Sequence, residues 1–453
     1  MPDFDPVTIA SQLATAYVQS SQDQIAASKA AAQRTATGLT TLRSALSAFD
    51  SAVSGLTSGS SGMRQFGAQF SASGIGTATA SSGAQAGTYS FHVEQLAQAH
   101  QVVFEDLPAV PVALGGPITV QLGDGSSFSV NLVAADSDGD GSISQAEIAR
   151  AINQAEDNGG KVTASLMTVG GETRLLLSAA STGAGSEITL DTSALPAGAL
   201  KDAFDGGQEL VAARDAVVWL GGQGGIRLQQ ASNTFTAIEG VSVTFTRAMQ
   251  PAESPVTLAV TADSTATAAN VQKFIDAYNT LKTSLDNLTK VSKDGATAAG
   301  AFATDAGVRA LRSRLNSIIR QEFGGLTLAE LGVTATRTGS LSLDKTRLDK
   351  TLAANPTALE DLFGKASLTQ PTGLIGTLDR YFDAWLKSGS GQIAGRQSSV
   401  EIIQKRLTER QTRLDAQYDN VYERYLKQFT QLQALQSQMG QTAGLFSTMS
   451  TSS

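Results

Sequence analysis

The chain has 453 residues, 33 Lys and Arg against 41 Asp and Glu for a net charge of -8, and no cysteine. That length exceeds one ordinary core, so about two to four domains are expected, and the lack of thiols removes a disulfide frame, a thiolate nucleophile and Cys-ligated metal. Lys and Arg are missing between Arg64 and Arg150, so no basic stripe is there to displace counterions, and nucleic acid is set aside as a partner.

The opening stretch MPDFDPVTIASQLATAYVQSS lacks the basic start and apolar run of a secretory signal. No window approaches the ~18 apolar residues of a membrane span. Taken alone, these two facts point to the cytosol. Ile9, Leu13 and Tyr17 are spaced by four, and Leu39, Leu42, Leu46, Phe49, Val53 and Leu56 follow in steps of three and four. That spacing predicts an amphipathic helix. SASGIGTATASSGAQA, Ser71 to Ala86, then reads as a small-residue linker.

Beyond it the apolar period falls to two. GTYSFHVEQLAQ, PITVQLGDGSSFSVNLV, TRLLLSA, VSVTFTRA and PVTLAVTAD read as half-buried strands, with GDGSS as a hairpin turn. One helix, from Ala146 to about residue 158, interrupts them. LGGQGGIRLQQ, Leu220 to Gln230, lacks the Gly-Lys-Ser/Thr ending of a phosphate loop and reads as a turn between strands. Helical periodicity returns from Ser264 and ends in a long stripe: Val400, Ile403, Leu407, Leu414, Tyr418, Val421, Tyr425, Phe429, Leu432, Leu435 and Met439.

DSDGDGSISQAE, Asp136 to Glu147, has the spacing of a calcium-binding loop. Asp136, Asp138 and Asp140 would supply carboxylates, Gly141 the sharp turn, Ser142 its carbonyl and Ser144 a bridging water. Ile143 would anchor the loop and Glu147 would close the shell. Hard oxygens at this spacing suit calcium over softer-ligand metals. Against this stand a strand in place of the entering helix and the lack of a second loop to pair with it. The plainer alternative is an acidic turn in which Ser144 caps the helix and Glu147 completes a capping box.

No catalytic constellation emerges. The two histidines, His92 and His100, supply a zinc site or a triad poorly. His92, alternating with Phe91 and Val93, reads as packed or at the surface. No serine sits in a Gly-x-Ser-x-Gly elbow, and Glu105–Asp106 and Glu360–Asp361 read as solvated acids. The expectation is a non-enzyme.

The fold expected is α+β, a multidomain rod with coiled-coil-like terminal helices. A helical domain is built from both chain ends, and β-rich head domains are inserted in it. In residue numbers, 1–40 form an N-terminal helical leg, and 41–75 with 264–414 the helical domain. Residues 76–105 with 213–263 form a β-rich domain, 106–212 an inserted β-rich head with the acid loop and its helix, and 415–453 a C-terminal leg. The terminal stripes want partner helices. Either they pair within the chain, or they await neighbouring molecules, since terminal helices alone are marginal.

Four segments in order resemble the bacterial flagellar filament-capping family, hook-associated protein 2. They are AGTYSFHVEQLAQAHQVV (86–103), EIARAINQAEDNGGKVTASLMTVGGETRLLLSAASTG (147–183), NVQKFIDAYNTLKTSLDNLT (270–289) and LGVTATRTGSLSLDKTRLDKTLAANPTALEDLFG (331–364). The long helix from Arg396 completes the set, and the resemblance runs over nearly the whole chain. It implies export through the flagellar type III channel, which replaces the cytosolic expectation with an extracellular place at the filament tip. It also implies an export chaperone, a ring-like homo-oligomer of five copies, and helical legs contacting flagellin. On that implication Leu42, Leu46, Phe49, Leu407, Leu414, Tyr418, Val421 and Tyr425 are the candidate contacts to flagellin or to other copies. Calcium is not implied by the resemblance, since the family usually has a short turn before the AIN helix. An extracellular adhesin, or a flagellin or hook-junction subunit sharing the AIN repeat, are the alternatives.

Overall fold

The structure, a computed structural model, describes residues 5–56, 62–292, 298–364 and 372–450, with side chains to 445. The chain divides into two compact units, Met1–Met63 with Ala268–Ser453, and Arg64–Thr267. It begins with helix α1, Pro6–Ser54, and two short helices, α2 (Gln145–Gln154) and α3 (Ala199–Asp205), lie among the strands that follow. Helix then returns as α4 (Ser264–Thr289), α5 (Ala306–Ile319), α6 (Lys345–Ala354), α7 (Ala358–Phe363), α8 (Gly373–Leu386) and α9 (Gln392–Ser450).

In the first unit α1 is started by Asp5, whose carboxylate accepts from the Val7 and Thr8 amides at 3.1 Å each, with Pro6 in the first turn. Its second half presents Leu39, Leu42, Leu46, Phe49 and Val53 to a core shared with α4, α5, α7 and α8. Phe49 meets Phe382 edge-on at 5.6 Å and Phe274 at 6.1 Å, and Phe274 meets Phe363 at 5.0 Å. Gly38 marks the entry of α1 to that core. A Cβ there would stand 2.6 Å from Ala301 Cβ, so the close approach of the chain requires glycine.

Leu42, Leu46 and Phe49, expected as contacts to flagellin or other copies, are instead packed in this core and are at most 2 % exposed. Their three-four spacing is the same whichever partner they pack on, so spacing alone could not separate the two.

The second unit holds two β modules. In one, a five-stranded antiparallel sheet runs in the order Phe66–Phe70, Val256–Ala262, Gly87–Gln95, Ala216–Leu220, Ile226–Gln230. A three-stranded sheet of Thr234–Ile238, Val241–Phe245 and Gly76–Ala80 shares its core, where Phe91 and Phe235 pack edge-on against Phe245. The glycine run after Leu220 is a turn between two strands, as expected, with positive φ at Gly221, Gly222 and Gly224. In the other module, sheets ordered Gln208–Val211, Gln101–Phe104, Glu172–Ala179, Val162–Val169 and Ile188–Asp191, Pro117–Leu122, Ser127–Asn131 enclose a core with α2 and α3. The GDGSS hairpin is formed, pairing Gln121 with Ser127.

The stretch read as a linker is not one. Gly76–Ala80 is a strand paired with Val241–Phe245. Its first residue must be glycine, because the neighbouring strand runs so close that a Cβ on Gly76 would lie 2.3 Å from Thr244 O. The units divide at Met63 and Thr267, not at 75 and 263. The expected edges at 40 and 414 fall inside uninterrupted helices.

Candidate functional site

Two places carry the residues singled out in the sequence, one in each unit. The acid loop joins the strand Ser127–Asn131 to α2. It turns on two glycines, Gly139 (φ 74°) and Gly141 (φ 82°), in a region that L side chains avoid. Asp136 accepts from the Gly139 amide (2.8 Å) with one oxygen and the Gly141 amide (3.1 Å) with the other. Asp138 accepts from the Asp140 amide (3.2 Å), and Asp140 from the Ser142 amide (2.7 Å). Ser142 and Ile143 then pair with Pro111 and Val110, and Ile143 is fully buried, anchoring the loop.

Ser144 caps α2. Its hydroxyl takes the Glu147 amide (3.3 Å) and donates to Glu147 Oε2 (2.8 Å), which also accepts the Ser144 amide (2.9 Å). Glu147 Oε1 accepts the Ser137 amide (2.8 Å), and Arg150 donates to the Ser137 hydroxyl. Glu147 is buried. The backbone N–H of Ser144 foremost, then that of Ser137, hold its carboxyl down at about 2, so it stays ionised.

One carboxylate oxygen from each of Asp136, Asp138 and Glu147 falls within 4.8 Å of the others. Asp140 is outside that group, Ser142 sits in the strand pair, and the Ser144 hydroxyl is engaged by Glu147. Three of the six expected ligands are therefore brought together, on a capping box that holds Glu147 in place.

The second place is the seam between α1 and α9, which run antiparallel. Ser11 Oγ lies 3.2 Å from Tyr418 OH, Gln22 Oε1 2.9 Å from Gln411 Nε2, Gln24 Oε1 3.1 Å from Arg410 and Gln33 Oε1 3.5 Å from Gln404. On α9 the buried residues Val400, Leu407, Leu414 and Val421 recur every seven positions. On α1 the same interval joins Val18, Ile25, Ala32, Leu39, Leu46 and Val53. This is a heptad repeat.

The register on the first turns differs from that expected. Leu13 and Tyr17 are exposed, and Ala10, Ala14 and Val18 are buried instead. Large knobs on α9 need shallow positions opposite, and alanine lets the two helices approach. The signal was present: counting back by seven from Leu46 reaches Ala32, Ile25 and Val18.

The other seam position of α9 carries Gln404, Gln411, Tyr418 and Tyr425, again seven apart, so much of the pairing there is polar. Tyr418 is half-buried beside the small cluster of Val18, Ile25 and Leu414, and Tyr425 is half-buried near Phe429. The same two heptad series continue through Leu432, Leu435 and Met439, which are 41 %, 54 % and 65 % exposed.

A family model for the flagellar hook-associated protein 2 C-terminus matches residues 213–441, and one for its N-terminus matches residues 3–100. The chain belongs to the flagellar hook-associated protein 2 family. It is 35 % identical over 381 residues to the lateral flagellar hook-associated protein 2 of Vibrio parahaemolyticus, covering 82 % of this chain and 83 % of that one. It is 29 % identical over 429 residues to the B-type flagellar hook-associated protein 2 of Pseudomonas aeruginosa, covering 89 % and 86 %. A solved structure of the D1-D2-D3 domains of the Escherichia coli flagellar cap protein FliD shares the fold, with TM-score 0.64 and 24 % identity over 80 % of this chain and 99 % of that one. The acid loop lies in residues 101–212, between the two matched segments.

Proposed function

We propose that this chain is a subunit of the cap at the distal end of a bacterial flagellar filament, outside the cell. There it retains exported flagellin until each subunit folds and joins. The role is structural, with no bond made or broken. Beside family membership, the observation that carries the reading is the heptad seam of α9 running on past its pairing with α1. About 40 Å of α9 follows Val421 at 1.5 Å per residue, and Leu432, Leu435 and Met439 are exposed along it.

Covering half-exposed side chains of this size stabilises a contact by on the order of 1 kcal/mol each. One leg therefore holds weakly, and several legs acting from one ring hold well. This favours a ring-like homo-oligomer, with five copies as the number proposed, gripping flagellin at the filament tip. The same exposed stripe would invite association before export, which favours a chaperone covering it inside the cell.

Deleting residues 430–453 tests the leg. The expected result is lost swimming, with flagellin monomers released into the medium and an unchanged melting transition for the β-rich unit. Normal filaments from the truncated chain would overturn the assignment.

We also propose that calcium clips the acid loop. Its support is the convergence of three carboxylates on hard-oxygen chemistry. Calorimetric titration of the full chain should show binding in the ~10⁻⁴–10⁻³ M range of extracellular modules, lost in Asp136→Ala. No heat from either protein would leave a capped turn alone.

A further inference from the structure

Three elements of the helical unit bring cations to one concavity of about 450 Å³. Lys282 comes from α4, Arg312 from α5, Arg320 from the end of α5, and Arg337 from the turn between strands Val333–Ala335 and Leu341–Leu343. Ser317 and Thr338 add hydroxyls between them.

The turn carrying Arg337 is held in place. Asn279 of α4 donates to Leu341 O (3.0 Å) and accepts the Leu341 amide (2.8 Å). Gly339 has φ 83°, and a Cβ there would press to 3.1 Å on Lys282 Cε. Lys282 and Arg312 share Asp286, at 2.5 and 2.7 Å. The guanidinium groups of Arg320 and Arg337 have no hydrogen-bond or ion-pair partner among the described residues, and no carboxylate is among the residues lining the concavity. Like charges gathered this way by a fixed turn and two helices call for an anion.

The composition of the chain says which anion. The helical unit carries 25 Lys and Arg against 21 Asp and Glu, a net +4, and the β-rich unit 8 against 20, a net -12. Eight of those acids fall between Arg64 and Arg150, where no Lys or Arg occurs, and five of them, Glu94, Asp106, Asp124, Asp138 and Asp140, are exposed.

We propose that this concavity binds an acidic segment, residues 65–149, of a second copy of the chain, and so forms a contact between neighbouring subunits. The proposal rests on the reading that copies assemble. Two arginines fork onto carboxylates more rigidly than lysines would, and opposite fields speed encounter and suppress wrong registers.

The test uses the full chain. Self-association is measured by sedimentation at 50 and 500 mM salt for the native protein, for Arg320→Glu/Arg337→Glu and for Arg320→Gln/Arg337→Gln. A photo-crosslinker at Ser317 is used in a mixture of isotope-labelled and unlabelled copies. We expect at least tenfold weaker association on charge reversal or at high salt, and an intermediate loss for the glutamine pair. Crosslinks should join labelled to unlabelled chains within residues 65–149.

Unchanged association of a charge-reversed chain that melts normally would overturn the contact, as would crosslinks confined to one chain. Inorganic phosphate that saturates the concavity without weakening association would show a small-oxyanion site and overturn it too. A native chain that stays monomeric throughout would instead sink the assembly reading itself.

Discussion

Leu414→Ala separates the legs from the core. Leu414 is 7 % exposed and packs with Val18 and Ile25 in a cluster apart from the large helical core, which runs from Leu39 to Val400. Removing a buried leucine costs about 2.7–5.0 kcal/mol, rising with the volume of the cavity left behind. Here the wall is two side chains and a half-buried tyrosine beside solvent, so the gap can close and about 2 kcal/mol is expected. At 1.4 kcal/mol per factor of ten, local opening becomes about thirtyfold more frequent. Native-state hydrogen exchange reads this directly: amides of α1 from residue 6 to 32 and of α9 from 405 to 425 should exchange faster, and those of Phe274 to Leu288 in α4 should not. Equal acceleration in legs and core would make them one cooperative unit and refute the argument that the legs are weakly held. No acceleration anywhere would show that Leu414 does not close the seam.

Phe49→Ala acts on the other side of that division. Phe49 is 2 % exposed and meets two phenylalanine edges, so its loss should cost about 3–5 kcal/mol and lower the denaturation midpoint of the helical unit. Impaired assembly without loss of stability would return Phe49 to the contact surface. Glu147→Gln tests the acid loop through pH. The carboxyl is held at about 2 against an ordinary 4.5, so its stabilisation is complete above 4.5 and fades as pH falls from 4.5 towards 2. Melting temperature followed by near-ultraviolet dichroism should show that fall in the native chain, with a shallower one in the variant; identical slopes would refute the role of the backbone donors.

Much of the fold was legible because strands such as Pro117–Leu122, Ser127–Asn131 and Val241–Phe245 alternate and their turns carry glycine where φ is positive, as at Gly125 in GDGSS. The terminal helices were legible as helices, but the face of α1 was not. Leu13 and Tyr17 outweigh Ala10 and Ala14 in any hydrophobicity pattern, and only a partner with large side chains makes the alanine face the buried one. The strand Gly76–Ala80 is hidden for the same reason: its small residues read as a linker until its pairing with Val241–Phe245, too close for a Cβ at Gly76, is seen. In the acid loop the spacing was visible, but not that Ser144 and Glu147 would be engaged with each other as a cap.

The buried side chains of α1 are small at its start, Ala10 and Ala14, and large in the core, Leu39, Leu46 and Phe49, with Val18, Ile25 and Ala32 between them. The first turns of α1 therefore bury less apolar area than the turns inside that core. On α9 the opposing positions add Gln404 and Gln411, whose amides find partners on α1 but hydrogen-bond about as well to water once the helices part. The pairing is weakest where α9 runs on alone with Leu432, Leu435 and Met439 exposed. A uniform leucine seam would lock the legs shut, and a wholly polar one would never form. The seam instead ties each leg firmly at its root and holds it least at the far end, where α9 exposes Leu432, Leu435 and Met439.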